Sequence, residues 1–355
     1  MKVHIFKNED IYTLSLLNFL GRNFDLRDHL FIIRSKSANK NISFGSARVI
    51  CMPGLRNLFK LKQVLANSER IYFHLLPIGP EIFYWYVNRK LFSKAVWIYW
   101  GADVYAHRKR RKSLKHYIYH ILLKKIIRAI PDIAGFLKGD FELIQNVYQS
   151  TADYHHVIYP IPTNFDLCDK IYQNKKTTVK ERINILLGNS GNESNHHLEA
   201  MNLLEKFRNE DILILCPLSY GEKNKSYTSN VIQKGHAIFG DKFEPLMQFI
   251  APDEYLSLLN NVDVAVMNHD RQQGLGNTLS LLYLGKKVFL RQDTTSNDYF
   301  VGMNIKVFDV CNISKISIKE FASFLPSDSQ NNRDILKSAF SENSFIQNWK
   351  NILEL

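Results

Sequence analysis

Residues 185–197 read Ile185-Leu186-Leu187-Gly188-Asn189-Ser190-Gly191-Asn192-Glu193-Ser194-Asn195-His196-His197. An apolar run stops at a glycine, a short polar loop follows, and helical spacing then begins. The run Ile183–Leu187 is apolar with little alternation, as expected of a strand buried on both faces of a parallel sheet. Two glycines let the backbone turn sharply, and the first amides of the next helix are left free to meet an anion. Gly188, Asn189, Ser190, Gly191 and Asn195 are therefore candidate ligand-facing residues; an ordinary capped strand-to-helix turn is the other reading. The spacing is neither a Walker loop nor a GxGxxG fingerprint, which removes support for an ATPase or a dehydrogenase.

The same grammar repeats on both sides of this stretch. Apolar runs at Val3–Phe6, Leu30–Ile33, Arg70–His74 and Ala95–Trp100 read as strands, with a weaker one at His155–Tyr159. Further runs fall at Asp211–Leu215, Leu246–Ile250, Val262–Met267 and Lys287–Leu290. Helical spacing separates them at Asn195–Phe207, Tyr227–Phe239, Pro252–Asn260 and Asn277–Leu284. This is an α/β chain of doubly wound parallel sheets with helices on both faces. The alternation breaks at Pro160-Ile161-Pro162-Thr163-Asn164, before a polar stretch holding Lys175, Lys176 and Lys180. Two prolines fix an extended segment there. A chain of 355 residues is also long for one core. We expect domains over 1–165 and 180–335, then a C-terminal helix over 336–355. Two such domains would face each other across a cleft, with ligands outside the carboxyl ends of the strands.

A second loop resembles the first. Val264-Ala265-Val266-Met267-Asn268-His269-Asp270-Arg271-Gln272-Gln273-Gly274-Leu275-Gly276-Asn277 again runs from a buried strand through a polar loop into an apolar helix. A guanidinium and free amides at one helix start suit a diphosphate. Asn268, Arg271, Gln272, Gln273, Gly274, Gly276 and Asn277 join the candidate donor-binding set, the alternative being a capped loop with an incidental arginine. In the first half, Trp97-Ile98-Tyr99-Trp100-Gly101-Ala102-Asp103-Val104-Tyr105 closes a strand. Asp103, past the Gly101 turn, is the candidate catalytic base for an attacking hydroxyl, and Trp100, Gly101 and Tyr105 are candidate acceptor contacts through stacking on a sugar face. Asp103 reads equally as a cap on the following helix.

The formal charge of +12 predicts an anionic partner. Nine Lys or Arg lie between 108 and 128 with no acidic residue among them, including Arg108, Lys109, Arg110, Arg111, Lys112 and Lys115. Leu114, Tyr117, Ile118, Ile121 and Leu122 recur there at helical spacing, so a basic amphipathic helix on an anionic membrane is expected. The aromatic run Phe83-Tyr84-Trp85-Tyr86 offers a further lipid contact. A surface helix whose apolar stripe faces the core is the alternative. No apolar run is long enough to span a bilayer, and no signal core follows Met1. The cysteines (Cys51, Cys168, Cys216, Cys311) form no CxxC pair, and the histidines show no metal spacing. No metal and no cofactor are expected. A non-catalytic nucleotide- or RNA-binding protein is the competing class, but the basic residues cluster in one helix and no RNA motif is present.

Trp100-Gly101-Ala102-Asp103-Val104-Tyr105, Gly188-Asn189-Ser190-Gly191 with Asn195-His196, and Arg271-Gln272-Gln273-Gly274-Leu275-Gly276 together resemble the Fuc4NAc transferase family of enterobacterial common antigen synthesis. The resemblance runs from about Ala95 to Leu290. It implies a GT-B-like, two-domain glycosyltransferase at the cytoplasmic face of the bacterial inner membrane. It also implies a dTDP-linked 4-acetamido-4,6-dideoxygalactose donor and an acceptor linked to undecaprenyl diphosphate. The chain contains no Asp-x-Asp pair, which favours a fold holding its donor through helix ends and basic side chains over one that uses a divalent metal. The basic helix departs from the family pattern, so an O-antigen or capsule enzyme with another sugar is also compatible.

Overall fold

The computed structural model describes residues 1–35, 44–54, 57–76, 79, 81–108, 113–160, 165–173, 182–221 and 224–355. The chain divides into two compact units, Met1–Pro162 with Glu342–Leu355, and Thr163–Ser341. Residues 161–164 and 174–181, where the sequence suggests the domain boundary, lie outside the described residues. The last 20 residues do not form one helix. Helix Pro326–Ala339 belongs to the second unit, and helix Glu342–Leu353 returns to the first.

The first unit holds a seven-stranded sheet made of β1 (Lys2–Phe6), β2 (His29–Ile33), β3 (Arg48–Cys51), β4 (Arg70–His74), β5 (Ala95–Ile98), β6 (Asp132–Gly135) and β7 (Asp153–His156). Its order is β3-β2-β1-β4-β5-β6-β7, every pair parallel. Alternate residues feed different faces. Val3, Ile5, Leu30 and Ile32 enter one core, while Phe6, Phe31 and Ile33 enter the other. Both faces are covered, which is why the strands lack a polar side. Helix Ile11–Asn23 covers the second face, its first turn held by Asp10, whose carboxylate accepts from the Thr13 amide at 2.9 Å. The C-terminal helix joins it there through buried Trp349, whose indole donates to the Ile158 carbonyl at 2.9 Å.

The second unit carries β8 (Ile183–Leu187), β9 (Ile212–Pro217), β10 (Phe243–Leu246), β11 (Val264–Met267), β12 (Lys287–Leu290) and β13 (Phe308–Asp309), in the order β10-β9-β8-β11-β12-β13. All pairs are again parallel. Two parallel-sheet α/β units are the fold class expected from the sequence.

Three strands escape the sequence reading and two are displaced. β6 carries Asp132 and Gly135, residues that disfavour a strand, yet each has a tertiary reason. Asp132 is buried and paired with Arg70 at 2.6 Å and His155 at 2.8 Å. Gly135 faces the Tyr99 ring so closely that a Cβ would stand 2.1 Å from it. β3 and β13 are short edge strands. β7 begins two residues before the expected start and ends at His156. β10 occupies Phe243–Leu246, not Leu246–Ile250. It is an edge strand, so only Phe243 need be buried, and the apolar Met247 and Phe249 beyond it are exposed.

The first sheet also contains a buried row of imidazoles. His29 Nδ1 lies 2.9 Å from His4 Nε2, and His4 Nδ1 lies 3.0 Å from His74 Nε2. His74 Nδ1 then meets the Tyr159 hydroxyl. Neutral rings satisfy this row, since of each facing pair of ring nitrogens one carries the proton and the other accepts it. Burial lowers His29 to about 4 and His74 to about 3, and burial with the two neighbouring imidazoles also holds His4 well below its ordinary value.

Two outcomes follow for stability. Gly135→Ala should drive a methyl into the Tyr99 ring and cost about 1–3 kcal/mol, read as a lower urea midpoint. An unchanged midpoint would show that the ring moves aside freely. The imidazoles set a pH dependence. Their folded-state pKa values lie below the unfolded value, so the unfolded chain binds protons first. Their stabilisation is complete above about pH 6.5 and is lost as pH falls toward 4, by about 1.4 kcal/mol per pH unit for each of the deeply buried His4 and His74 and by less for His29, which solvent partly screens. Asp103, raised to about 7 by burial, works in the opposite sense by one proton. The urea midpoint should therefore fall clearly between pH 7 and pH 5, and equal midpoints would contradict neutral buried rings.

Candidate functional site

In the second unit the chain leaves β8 toward β9 and β10 on one side, then returns to β11, β12 and β13 on the other. The loops after β8 and β11 therefore leave neighbouring strands at the point where the order reverses, the usual ligand crevice of a doubly wound sheet. They are the two loops singled out in the sequence.

Asn195 ties them together. Its side chain is buried, and its Oδ1 accepts from the Asn189 amide at 3.0 Å and lies 2.9 Å from His269 Nε2. Its Nδ2 donates to the Ser190 and Asn192 carbonyls at 3.0 and 2.9 Å. Burial lowers His269 to about 3, so the ring is neutral and its Nε2 is the donor. Gln273 adds a second bridge, giving its Nε2 to Asn189 Oδ1 at 2.9 Å and accepting from Ser194 Oγ. Two glycines are required by this clasp. Gly188 has φ +70°, and a Cβ on it would lie 2.7 Å from His197 Nε2 and 2.8 Å from Asn195 Oδ1. Gly274 has φ +59° at the start of helix Leu275–Tyr283, with Asn189 2.8 Å from its absent Cβ.

Arg271 lies beside this clasp and lines a small pocket together with Gln273, Arg291, Thr294, Ser296 and Phe300. Two guanidiniums thus share one pocket with the starts of helices Leu275–Tyr283 and Thr295–Gly302. Arg291 lies 3.0 Å from Glu199 and 3.4 Å from Asp293. Chemically the pocket suits a multiply charged anion.

Other expected donor residues point elsewhere. Asn277 gives its Nδ2 to the Tyr255 hydroxyl at 3.0 Å, and Asn268 gives its own to the His196 carbonyl at 3.3 Å. Gly191 receives no ligand-facing role from its bonds, since its amide donates to the Tyr220 carbonyl at 2.8 Å. Gln272 is half-buried and its carbonyl accepts from Arg271 Nη1 at 3.2 Å. Gly276 lies in the first turn of its helix and accepts from Ser280 Oγ at 2.8 Å. His197, His269 and Arg291 are neighbours that the sequence reading missed. Arg291 follows β12 directly, and the rule that picked out the other two loops, a polar group just past an apolar strand, would have found it.

In the first unit Asp103 lies in the short helix Gly101–Val104 after β5. Its carboxylate is buried, and both oxygens are engaged. Oδ1 accepts from the Trp100 amide at 2.8 Å and the Val104 amide at 3.1 Å, and Oδ2 accepts from Trp97 Nε1 at 2.8 Å. Burial outweighs these bonds and raises the carboxyl to about 7. Trp100 keeps part of its ring accessible between Tyr12 and Tyr159, with centroids at 5.1 and 4.7 Å. Tyr105 and Gly101 are buried, and the Tyr105 hydroxyl donates to Asp140 at 2.7 Å. Arg108 is exposed and lies 4.5 Å from the Tyr105 ring centroid, and Lys115 is exposed. Lys109, Arg110, Arg111 and Lys112 lie outside the described residues. Among the described residues no cluster of His, Cys, Asp and Glu has a metal-holding arrangement.

Solved structures share this fold along nearly the whole chain. A glycosyltransferase from Rickettsia africae superposes with a TM-score of 0.68 at 13% identity, covering 99% of this chain and 97% of that one. HepE from Anabaena, solved with UDP and glucose, gives 0.67 at 11% identity over 100% and 99%. WaaG, a glycosyltransferase of lipopolysaccharide biosynthesis, gives 0.60 at 10% identity over 99% and 98%. These likenesses establish a GT-B-type fold. The family model described as 4-alpha-L-fucosyltransferase, glycosyl transferase group 56, matches residues 25–355, and the chain belongs to that glycosyltransferase family.

Proposed function

We propose that this glycosyltransferase moves a deoxy, acetamido sugar from a dTDP-linked donor, of the 4-acetamido-4,6-dideoxygalactose type, to a saccharide carried on undecaprenyl diphosphate. It would act in enterobacterial common antigen or O-antigen synthesis, peripherally, at the cytoplasmic face of the inner membrane. The observation that carries the reading is the Asn195 clasp, with Arg271 beside it, at the reversal point of the second sheet. No helix among the described residues is long and apolar enough to cross a membrane, which is compatible with a peripheral site.

The chemistry asks little of the chain beyond charge and geometry. An acceptor hydroxyl attacks the anomeric carbon, the bond from that carbon to the diphosphate oxygen breaks, and the nucleoside diphosphate leaves with the electron pair. Arg271 and the amides at the start of helix Leu275–Tyr283 stabilise the charge that grows on the leaving diphosphate. Gly188, Asn189, Ser190, Gly191, Gln272, Gln273, Gly274 and Gly276 shape that wall, and Asn195, Asn268 and Asn277 hold it in place. Asp103 is the proposed base. A carboxyl near 7 is half-ionised at neutral pH, the condition for accepting a proton in the transition state and releasing it afterwards. Trp100, with Gly101 and Tyr105 behind it, is the proposed acceptor contact.

Arg271→Ala should lower kcat/KM for the donor roughly ten- to a hundredfold, the worth of one charge-assisted bond. Donor kinetics that do not change would remove Arg271 from the diphosphate site. For Asp103 the amide variant carries its own hazard, because an Asn NH2 group would meet the Trp97 indole N–H. The useful comparison is Trp97→Phe against Trp97→Phe with Asp103→Asn, both checked by thermal melting. The second should turn over about a hundred- to ten-thousandfold more slowly at similar donor KM. In the parent protein kcat/KM should rise with pH through about 7 as the carboxyl ionises. Equal turnover in the two folded variants would leave Asp103 as a structural cap.

A further inference from the structure

Three helices on the outside of the first unit leave large apolar side chains in solvent. They are Leu58–Ala66, Ile82–Val87 and Leu114–Ile127. Phe59 is 76% exposed, Phe83 62%, Val87 72%, Leu114 74% and Tyr117 54%, and Ile118 and Ile121 are also exposed. The helices adjoin. Tyr84 donates to the Leu58 carbonyl at 2.6 Å and meets the Phe59 ring with centroids 6.5 Å apart, while Lys125 Nζ lies 5.6 Å from the Tyr86 ring centroid.

The last helix carries two apolar stripes where packing needs one. Leu122, Leu123, Ile126 and Ile127 enter the core. Leu114, Tyr117, Ile118 and Ile121, spaced one turn apart on another face, do not. A helix serving only its own core would be polar there. Contiguous exposed apolar surface of this kind marks an interaction site.

Charge identifies the partner. The first unit holds 26 Lys and Arg against 13 Asp and Glu, whereas the second holds 20 against 21. All the excess positive charge is on the unit with the apolar face. Between residues 29 and 131 there are 20 Lys and Arg and three acids, Glu69, Glu81 and Asp103. Glu81 cancels only Arg34, to which it is paired at 2.6 Å, and Asp103 is buried, so a large basic excess remains. A second copy would have to set this basic face against itself. Nucleic acid would satisfy the lysines but offers little to Leu114, Val87 or Ile118. An anionic bilayer takes both, the phosphates meeting the lysines and the acyl boundary meeting the apolar side chains.

We infer that the exposed apolar faces of helices 58–66, 82–87 and 114–127 insert together into the surface of an anionic bilayer, with the surrounding Lys and Arg on its phosphates. This deepens the membrane part of the proposed function and rests on it only for the acceptor. It also extends the amphipathic helix expected from the sequence to a face that three helices share, with helix 58–66 added to it.

Full-length protein sedimented with phosphatidylcholine vesicles, with and without phosphatidylglycerol, tests it. Binding should need the anionic lipid, and part should survive about 1 M salt, where the Debye length is about 3 Å. Phe83→Ser with Val87→Ser and Ile118→Ser should lower that salt-resistant binding at least tenfold without altering the melting temperature. Tyr117→Trp should shift its emission to the blue when vesicles are added. Unchanged binding of the triple variant, unshifted Tyr117→Trp emission, or a dimer that the triple variant dissociates would each overturn the inference. Vesicle binding that persists while no lipid-linked acceptor is glycosylated would leave the insertion face standing and remove the acceptor reading alone.

Discussion

One buried amide, that of Asn195, holds the loops after β8 and β11 in their shape. Its oxygen takes two hydrogen bonds and its nitrogen gives two to backbone carbonyls, so the group is saturated in a place where an unsatisfied one would be costly. The neighbouring residue types follow from it. Gly188 must lack a side chain because the amide and the His197 ring occupy that space. Gly274 must lack one because Asn189, fixed by the same amide, stands against it. His269 must stay neutral, since a proton on its other nitrogen would have to be desolvated where burial already disfavours charge. A wall fixed in this way has its donors in place before a ligand arrives, and little ordering cost is left for binding.

The two units carry their basic residues in different ways. With 20 basic and 21 acidic residues, the second unit presents no strong overall field. What suits it to the proposed diphosphate is position, two guanidiniums and two helix starts around one small pocket. The first unit does the reverse, carrying a diffuse excess of positive charge. Diffuse charge suits an extended surface, because attraction to many phosphates needs no register. A small pocket suits one ligand in one orientation.

Much of the architecture was legible because buried parallel strands are short apolar runs, and their helices begin at glycine-bearing loops. Ile183–Leu187, Arg70–His74 and Lys287–Leu290 were read at their observed limits. The reading failed where tertiary contacts replaced hydrophobicity. β6 is held by an ion pair and a ring over a glycine, which no local pattern announces. β10 lost its place to the exposed apolar residues that follow it, since an edge strand is only half obliged to be apolar. The site shows the same division. Arg271 and Gln273 were visible as polar groups past a strand, but that Asn195 rather than the loop amides organises them depends on contacts between segments more than 70 residues apart. The helix after residue 113 was read as amphipathic with one stripe, although its sequence supports two. Counting Leu123, Ile126 and Ile127 as a separate face would have separated core from surface.

Asp103 shows why burial and hydrogen bonding must be weighed together. Three donors on a carboxylate would ordinarily hold its pKa low, and the Trp97 indole is one of them. Burial nevertheless wins, because desolvation of the carboxylate outweighs the hydrogen bonds it accepts and no cation lies among its partners. The nearby interior is polar in the same neutral fashion. The row from His29 through His4 and His74 to Tyr159 ends against Trp100, whose side chain hydrogen-bonds the Tyr159 hydroxyl and whose backbone amide Asp103 holds. A cation placed anywhere along that row would lower the Asp103 carboxyl and break the alternation of donors and acceptors. Keeping the row neutral therefore preserves two properties at once. The imidazoles remain satisfied without counter-ions, and the carboxyl stays close to neutral pH, where one proton can still move on and off it.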